Sequence, residues 1–78
     1  MYMMKRKFKL SVVVEHDKNG YYAFSPQLQG CYAQGETYEE VMANIKDAIH
    51  LHLEDMLESK ETIPEIDSIS LTSLEVEV

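Results

Sequence analysis

The run Gly30-Cys31-Tyr32-Ala33-Gln34-Gly35-Glu36-Thr37-Tyr38-Glu39-Glu40 is where period-two alternation gives way to three- and four-residue spacing. Thr37 is a strong helix start: its hydroxyl can accept from the amide of Glu40, and the Glu40 carboxylate can reach back to the Thr37 amide. Glu36, Glu39 and Glu40 add negative charge beside the positive end of the helix dipole. Gly35, just before the cap, is expected to free the backbone for the change from strand to helix.

Forward of the cap, Val41, Met42, Ile45, Ala48, Ile49, Leu53, Met56 and Leu57 recur at helical spacing, so one helix is expected over residues 38–59. Its wet side carries Glu39, Glu40, Asn44, Asp47, Glu54, Asp55 and Glu58; Leu51 and His52 fall near the margins and take no side from spacing alone. Back from the cap, residues 7–15 alternate, with Phe8, Leu10, Val12 and Val14 opposite Lys9, Ser11 and Val13. Asn19-Gly20 then supplies the positive dihedrals of a tight hairpin. A second strand follows over residues 21–25, closed by Ser25-Pro26, and a third over 28–34. After a polar connection broken by Pro64, Leu74, Val76 and Val78 alternate with Ser73, Glu75 and Glu77 as a short final strand. The fold class is therefore α+β in the order β-β-β-α-β: an antiparallel three-strand meander, one helix packed on one sheet face, and a returning fourth strand placed beside the first.

Seventy-eight residues allow one domain, 1–78, with residues 1–6 expected to be disordered. One cysteine excludes an internal disulfide, no His/Cys cluster offers a zinc site, and no cofactor is implied. A small core without such staples favours association, so a homodimer or larger assembly is expected. No apolar run approaches the ~20 residues of a membrane span, and the basic start lacks the apolar segment of a signal peptide. The chain is read as cytoplasmic, with no membrane partner.

Residues 1–10 hold four basic and no acidic residues, which leaves Lys18, Lys46 and Lys60 against all 14 acidic residues in 11–78, a net of −11. Phosphate binding needs clustered Lys and Arg, so nucleic acid is not an expected direct partner and a basic protein is.

Candidate chemistry is sparse. Metal-dependent nuclease work needs several converging carboxylates, and the first strand offers only Glu15, at its end. Cys31 has no histidine beside it in sequence and reads as a packed core thiol. His50 and His52 stand two apart on a helix and cannot chelate one ion; His16 borders a turn. No catalytic or metal residue is assigned. Tyr21 and Tyr32, with Val13 and Ala23, are placed on the sheet side opposite the helix, where exposed aromatics mark a contact surface, and these four form the expected oligomer interface.

The stretch from Tyr22 through Glu40 resembles the HicB family of antitoxins: Ala23, Pro26, Leu28, Gly30, Cys31, Gly35, Thr37, Glu39 and Glu40 fall on that family's A-x-x-P-x-L-x-G-C-x-x-x-G-x-T-x-E-E pattern. The similarity runs from the first strand through the helix, and after Ser59 it holds only by strand position. It implies a partly degraded ribonuclease-H-like core that binds a small basic HicA toxin, an RNA-cleaving protein that uses a histidine, and masks its active site. The expected toxin-binding residues are then the acidic ones of the helix, Glu39, Asp47, Glu54, Asp55 and Glu58, and of the last strand, Glu75 and Glu77. Many such antitoxins add a ribbon-helix-helix or helix-turn-helix module that represses their operon. The sequence reaches Val78 without one, so DNA reading by this chain alone is not expected. The alternative is a solitary homo-oligomeric interaction module without a toxin.

Overall fold

A computed structural model describes residues 6–78, with the element order β1 (Val13–Asp17), β2 (Gly20–Phe24), β3 (Tyr32–Gly35) and α1 (Tyr38–Glu58). All but Arg6 of the leading stretch expected to be disordered lies outside the described residues. The three strands form one antiparallel sheet in the order β1-β2-β3, the meander that the hairpin signals imply.

β1 begins later than alternation suggests. β2 pairs from Gly20 opposite Asp17 to Phe24 opposite Val13, and Ser25-Pro26 then ends it, so residues 7–12 have no strand to pair with. Instead Gln27 Oε1 accepts from the Ser11 amide at 2.9 Å and from the Ser11 hydroxyl at 2.8 Å, taking the place of a backbone partner. Alternation still sets sidedness here: Phe8, Leu10 and Val12 are half-buried while Lys7 and Lys9 are exposed.

Lys18 and Asn19 form the hairpin loop, and the Asn19 amide donates to Asp17 Oδ1 at 2.8 Å. Within the hairpin only Gly20 carries a positive φ, +123°; Asn19 does not need one, because the dihedral demand falls wholly on the glycine. β3 is also shorter than expected. Residues 25–30 turn back on themselves through Leu28 N to Ser25 O (3.1 Å), Cys31 N to Leu28 O (3.2 Å) and Ser25 N to Cys31 O (3.2 Å). This knot drives Leu28 and Cys31 into the core as plugs instead of leaving them in a ladder.

Register decides which face each side chain takes. Phe24 stands opposite both Val13 and Tyr32, and Tyr22 opposite both Glu15 and Gln34, so these residues share the uncovered face. Ala23 stands opposite Val14 and Ala33, and Tyr21 opposite His16 and Gly35, on the helix side. The expected placement of Val13 and Tyr32 away from the helix holds, while Tyr21 and Ala23 lie beneath it. The reason is that residues opposite one another in an antiparallel pair point the same way, so Val13 opposite Phe24 fixes the whole of β2.

The helix lies over β3 and β2 and does not approach the backbone of β1. Val41 and Ile45 are its fully buried residues, closing a core with Ala23, Leu28 and Cys31; Met42, Ala48, Ile49, Leu53 and Met56 pack around that core. Leu57 departs from the expected stripe at 39% exposure. The Ser25 hydroxyl is buried without a hydrogen-bond partner.

At the start of α1, Thr37 Oγ1 accepts from the Glu40 amide at 3.1 Å, as the cap motif requires. The reciprocal bond differs: Glu40 Oε1 accepts from the amide of Glu36 at 3.3 Å, one residue earlier than a capping box prescribes. Gly35 serves a different need from the one expected. Its φ is not positive; a Cβ there would lie 2.6 Å from Val41 N and 3.0 Å from Val41 Cα. It is glycine because the helix backbone sits directly on it.

The helix ends in a Schellman motif, with Lys60 N donating to Leu57 O (3.1 Å), Glu61 N to Met56 O (2.9 Å) and Lys60 itself left-handed at φ 59°. The chain then meets the segment that precedes β1, where Ile66 N donates to Lys9 O at 3.1 Å. The expected fourth strand does not join this sheet. Residues 71–78 are all exposed and carry no strand pairing among the described residues.

Candidate partner-binding surfaces

Two surfaces carry side chains that the core leaves unused. On α1, the residues at alternating four- and three-residue steps, Glu40, Asn44, Asp47, Leu51, Glu54 and Glu58, form one solvent-facing line. Asn44 anchors its start, its side-chain amide donating to Gln34 O at 2.8 Å. Asp47, Glu54, Asp55 and Glu58 are exposed, and Leu51 stands among them at 67% exposure. The arrangement is an apolar knob ringed by carboxylates. Glu39, also exposed, belongs to the first turn, while Glu75 and Glu77 sit on the exposed tail. The structure thus groups Asp47, Glu54, Asp55 and Glu58 into one patch and does not bring Glu39, Glu75 or Glu77 to it.

His50 Nδ1 lies 3.4 Å from Glu54 Oε1 with both side chains largely in water, so the pair adds little to stability and leaves the carboxylate available. Sequence spacing passed over Leu51. The signal was present: one leucine flanked by acids at minus four, plus three, plus four and plus seven positions is out of place on a merely solvated face.

The second surface is the uncovered sheet face. Tyr22 packs between Phe24 and Tyr32 with ring centroids 6.1 Å apart in each case, and Tyr22 and Tyr32 are 37% and 59% exposed. Val13 completes the row beside Phe24. Of the four residues expected at an oligomer interface, Val13 and Tyr32 belong to this face. Ala23, at 0% exposure under the helix, has no surface to offer. Tyr21 is half-buried and stacks on His16 at 4.0 Å, with Tyr38 edge-on at 6.4 Å. Those three rings seal the end of the sheet near the hairpin. Tyr22 and Phe24 were missed because their sidedness depends on the register, which the two-residue loop sets.

Between the β1–β2 hairpin and the start of α1 lies an open cleft of about 780 Å³, with Glu15, Asp17, Glu36 and Glu40 around it. No group of three or more His, Cys, Asp or Glu side chains among the described residues has metal-binding geometry. Cys31 is buried, and burial pushes its thiol pKa up, the reverse of what a nucleophile needs. No helix among the described residues is long and apolar enough to cross a membrane.

Residues 10–77 match the family described as HicB-like antitoxin of bacterial toxin-antitoxin system. The chain belongs to the HicB-like antitoxin family. The match takes in every strand, the helix and nearly all of the exposed tail. Among curated relatives, a UPF0150 protein of Helicobacter pylori is 53% identical over 47 residues, 60% of this chain and 65% of that protein. A UPF0150 protein of Synechocystis is 38% identical over 66 residues, 83% of this chain and 84% of its own length. One from Thermoplasma acidophilum is 37% identical over 65 residues, 82% and 94% respectively. No solved structure matches the chain. Membership in the HicB-like family makes a toxin the general kind of partner, and makes binding the general kind of activity.

Proposed function

We propose that this HicB-like chain is a cytoplasmic antitoxin that holds a small basic HicA-type toxin and masks its RNA-cleaving site, acting by contact and not by chemistry. The observation that carries the reading is the helix patch: four carboxylates around an exposed leucine on a body whose net charge outside residues 1–10 is −11. Such a patch steers a basic partner by charge and anchors it by apolar contact. Glu39, Glu75 and Glu77 widen the negative field without touching the anchor. On this reading the three strands and the helix belong to a partly degraded ribonuclease-H-like core, as the family resemblance implies.

The test is co-purification of the tagged chain from its native cells, followed by identification of small basic proteins bound in stoichiometric amount. Recovery of a chain that cleaves RNA once freed supports the antitoxin reading; recovery of the protein alone overturns it.

The uncovered aromatic face favours a second reading, a solitary module that associates with itself through Val13, Tyr22, Phe24 and Tyr32. In that case Tyr32→Glu, on the open face and outside the core, dissociates the assembly and leaves the fold intact.

A further inference from the structure

Asn19-Gly20 closes the hairpin and brings together two groups that can react with each other. At an Asn-Gly step the glycine nitrogen lies one bond short of a five-membered ring with the side-chain carbonyl carbon of the asparagine, and no side chain on the glycine shields it. Reaction then depends on exposure, on the freedom of the carboxamide and on what holds the glycine nitrogen.

The fold leaves this step open. Asn19 is exposed in the hairpin loop and is tied there by its backbone, whose amide donates to Asp17 Oδ1 at 2.8 Å. Gly20 stands opposite Asp17 as the last pair of the β1–β2 ladder, and the ends of a ladder open before its middle. A bulkier residue cannot take its place. Gly20 has a φ of +123°, and a Cβ there would lie 2.9 Å from Gly35 O, a backbone atom that cannot swing aside. The hairpin thus requires, next to Asn19, the one residue that leaves its nitrogen bare.

Asn44, the other asparagine of the chain, is the internal contrast. It lies within α1, and its side-chain amide donates to Gln34 O at 2.8 Å. The residue after it is Ile45, β-branched and 1% exposed, with its nitrogen inside the helical ladder.

We propose that Asn19 is a site of spontaneous intramolecular deamidation. The Gly20 nitrogen attacks Cγ of Asn19: the bond from nitrogen to Cγ forms, the bond from Cγ to Nδ2 breaks, and Nδ2 leaves as ammonia with the Gly20 amide proton. Water then opens the cyclic imide. Breaking the new bond gives aspartate; breaking the original peptide bond leaves isoaspartate, whose main chain runs through Cγ and is one atom longer. Either product adds a negative charge to the cleft that Asn19 lines together with Glu15, Asp17, Glu36 and Glu40. Isoaspartate also lengthens the loop that sets the register of β2 against β1. The reaction stands whether or not the helix patch binds a toxin.

Ageing the full native chain tests it. The protein is held at pH 8 and 37 °C, and both asparagines are followed by peptide mass spectrometry and by enzymatic methylation of isoaspartyl groups. Asn19 is expected to convert roughly tenfold or more faster than Asn44, whose neighbouring nitrogen is released only when the helix opens. The products expected at position 19 are aspartate and isoaspartate together, since both come from one ring. Asn19→Gln, at an exposed position without a positive φ, is expected to fold normally and to abolish the methyl-accepting signal. An intact Asn19, an Asn44 that keeps pace with it, or a signal that survives in Asn19→Gln overturns the proposal. Aspartate without isoaspartate means direct hydrolysis with no ring and overturns it too. The isoaspartate fraction of the aged protein is expected to melt below Asn19→Asp, which adds the charge and keeps the loop length. Equal melting of the two rejects the effect on the hairpin.

Discussion

Gly35 shows what a single residue can hold. Its missing side chain lets the first turn of α1 rest on β3, with the Val41 amide nitrogen 2.6 Å from where a Cβ would sit. Because the opposing atoms are backbone and cannot swing aside, Gly35→Ala has to lift the helix off the sheet, at a cost of about 1–3 kcal/mol. In a domain of this size each kcal/mol lowers the melting temperature by roughly 4–8 °C, so a thermal melt within 2 °C of wild type would refute the close-approach account. Cys31 makes a different kind of statement. Burial raises its thiol pKa above the ordinary 9.0, so the folded state favours the neutral thiol. A group whose folded pKa is raised contributes stability that is fully present below its unfolded value and is lost as pH climbs through the folded one. Stability is therefore expected to decline above about pH 9. Cys31→Ala should flatten that decline, and alkylation of the folded protein at pH 8 should be slow until denaturant is added.

At the scale of elements, the two ends of α1 offer opposite experiments. Thr37→Ala removes the acceptor for the Glu40 amide and is expected to lose about 1 kcal/mol, with Thr37→Ser close to wild type. Lys60 closes the other end in a left-handed conformation that disfavours any side chain, so Lys60→Gly should gain about 0.5–1 kcal/mol in denaturant unfolding with an unchanged slope. The helix was legible in the sequence almost to the residue because cap, period and acidic first turn are all local signals. The first three strands were legible in number and order, but not in their ends, and the fourth was expected where the tail pairs with nothing described. Residues 7–12 alternate as a strand should, yet their pairing depends on where Pro26 stops β2 and on Gln27 reaching Ser11, which are contacts 16 residues apart. Faces failed for the same reason: Tyr21 and Ala23 follow from the register with Val13, and register is a property of two strands. Leu51 was visible as an oddity, and only the packing of the other apolar positions shows it to be the most exposed of them on the helix.

For the molecule as a whole, the radius of gyration of 15.1 Å exceeds the roughly 11.5 Å of a compact chain of 78 residues, in keeping with a small packed body and an outlying tail. On that body the proposed toxin surface divides between carboxylates and one exposed leucine on α1, and the two shares can be measured apart. Charges exposed at the rim act before contact, so raising ionic strength from 50 to 500 mM is expected to slow association with the toxin by tenfold or more while changing dissociation little. Asp47→Asn with Glu54→Gln should reproduce that loss at low salt and flatten the salt dependence. On the proposed reading Leu51 acts after contact. Leu51→Ala is expected to leave the association rate within twofold and to speed dissociation by about tenfold, an anchor's share of roughly 1.4 kcal/mol. Because Leu51 is already 67% exposed, the free protein should melt as wild type does. Stopped-flow and surface-binding kinetics on the three proteins separate the two effects. If Leu51→Ala slowed association as the charge variants do, or if no variant moved either rate, the helix patch would not be the surface that meets the toxin.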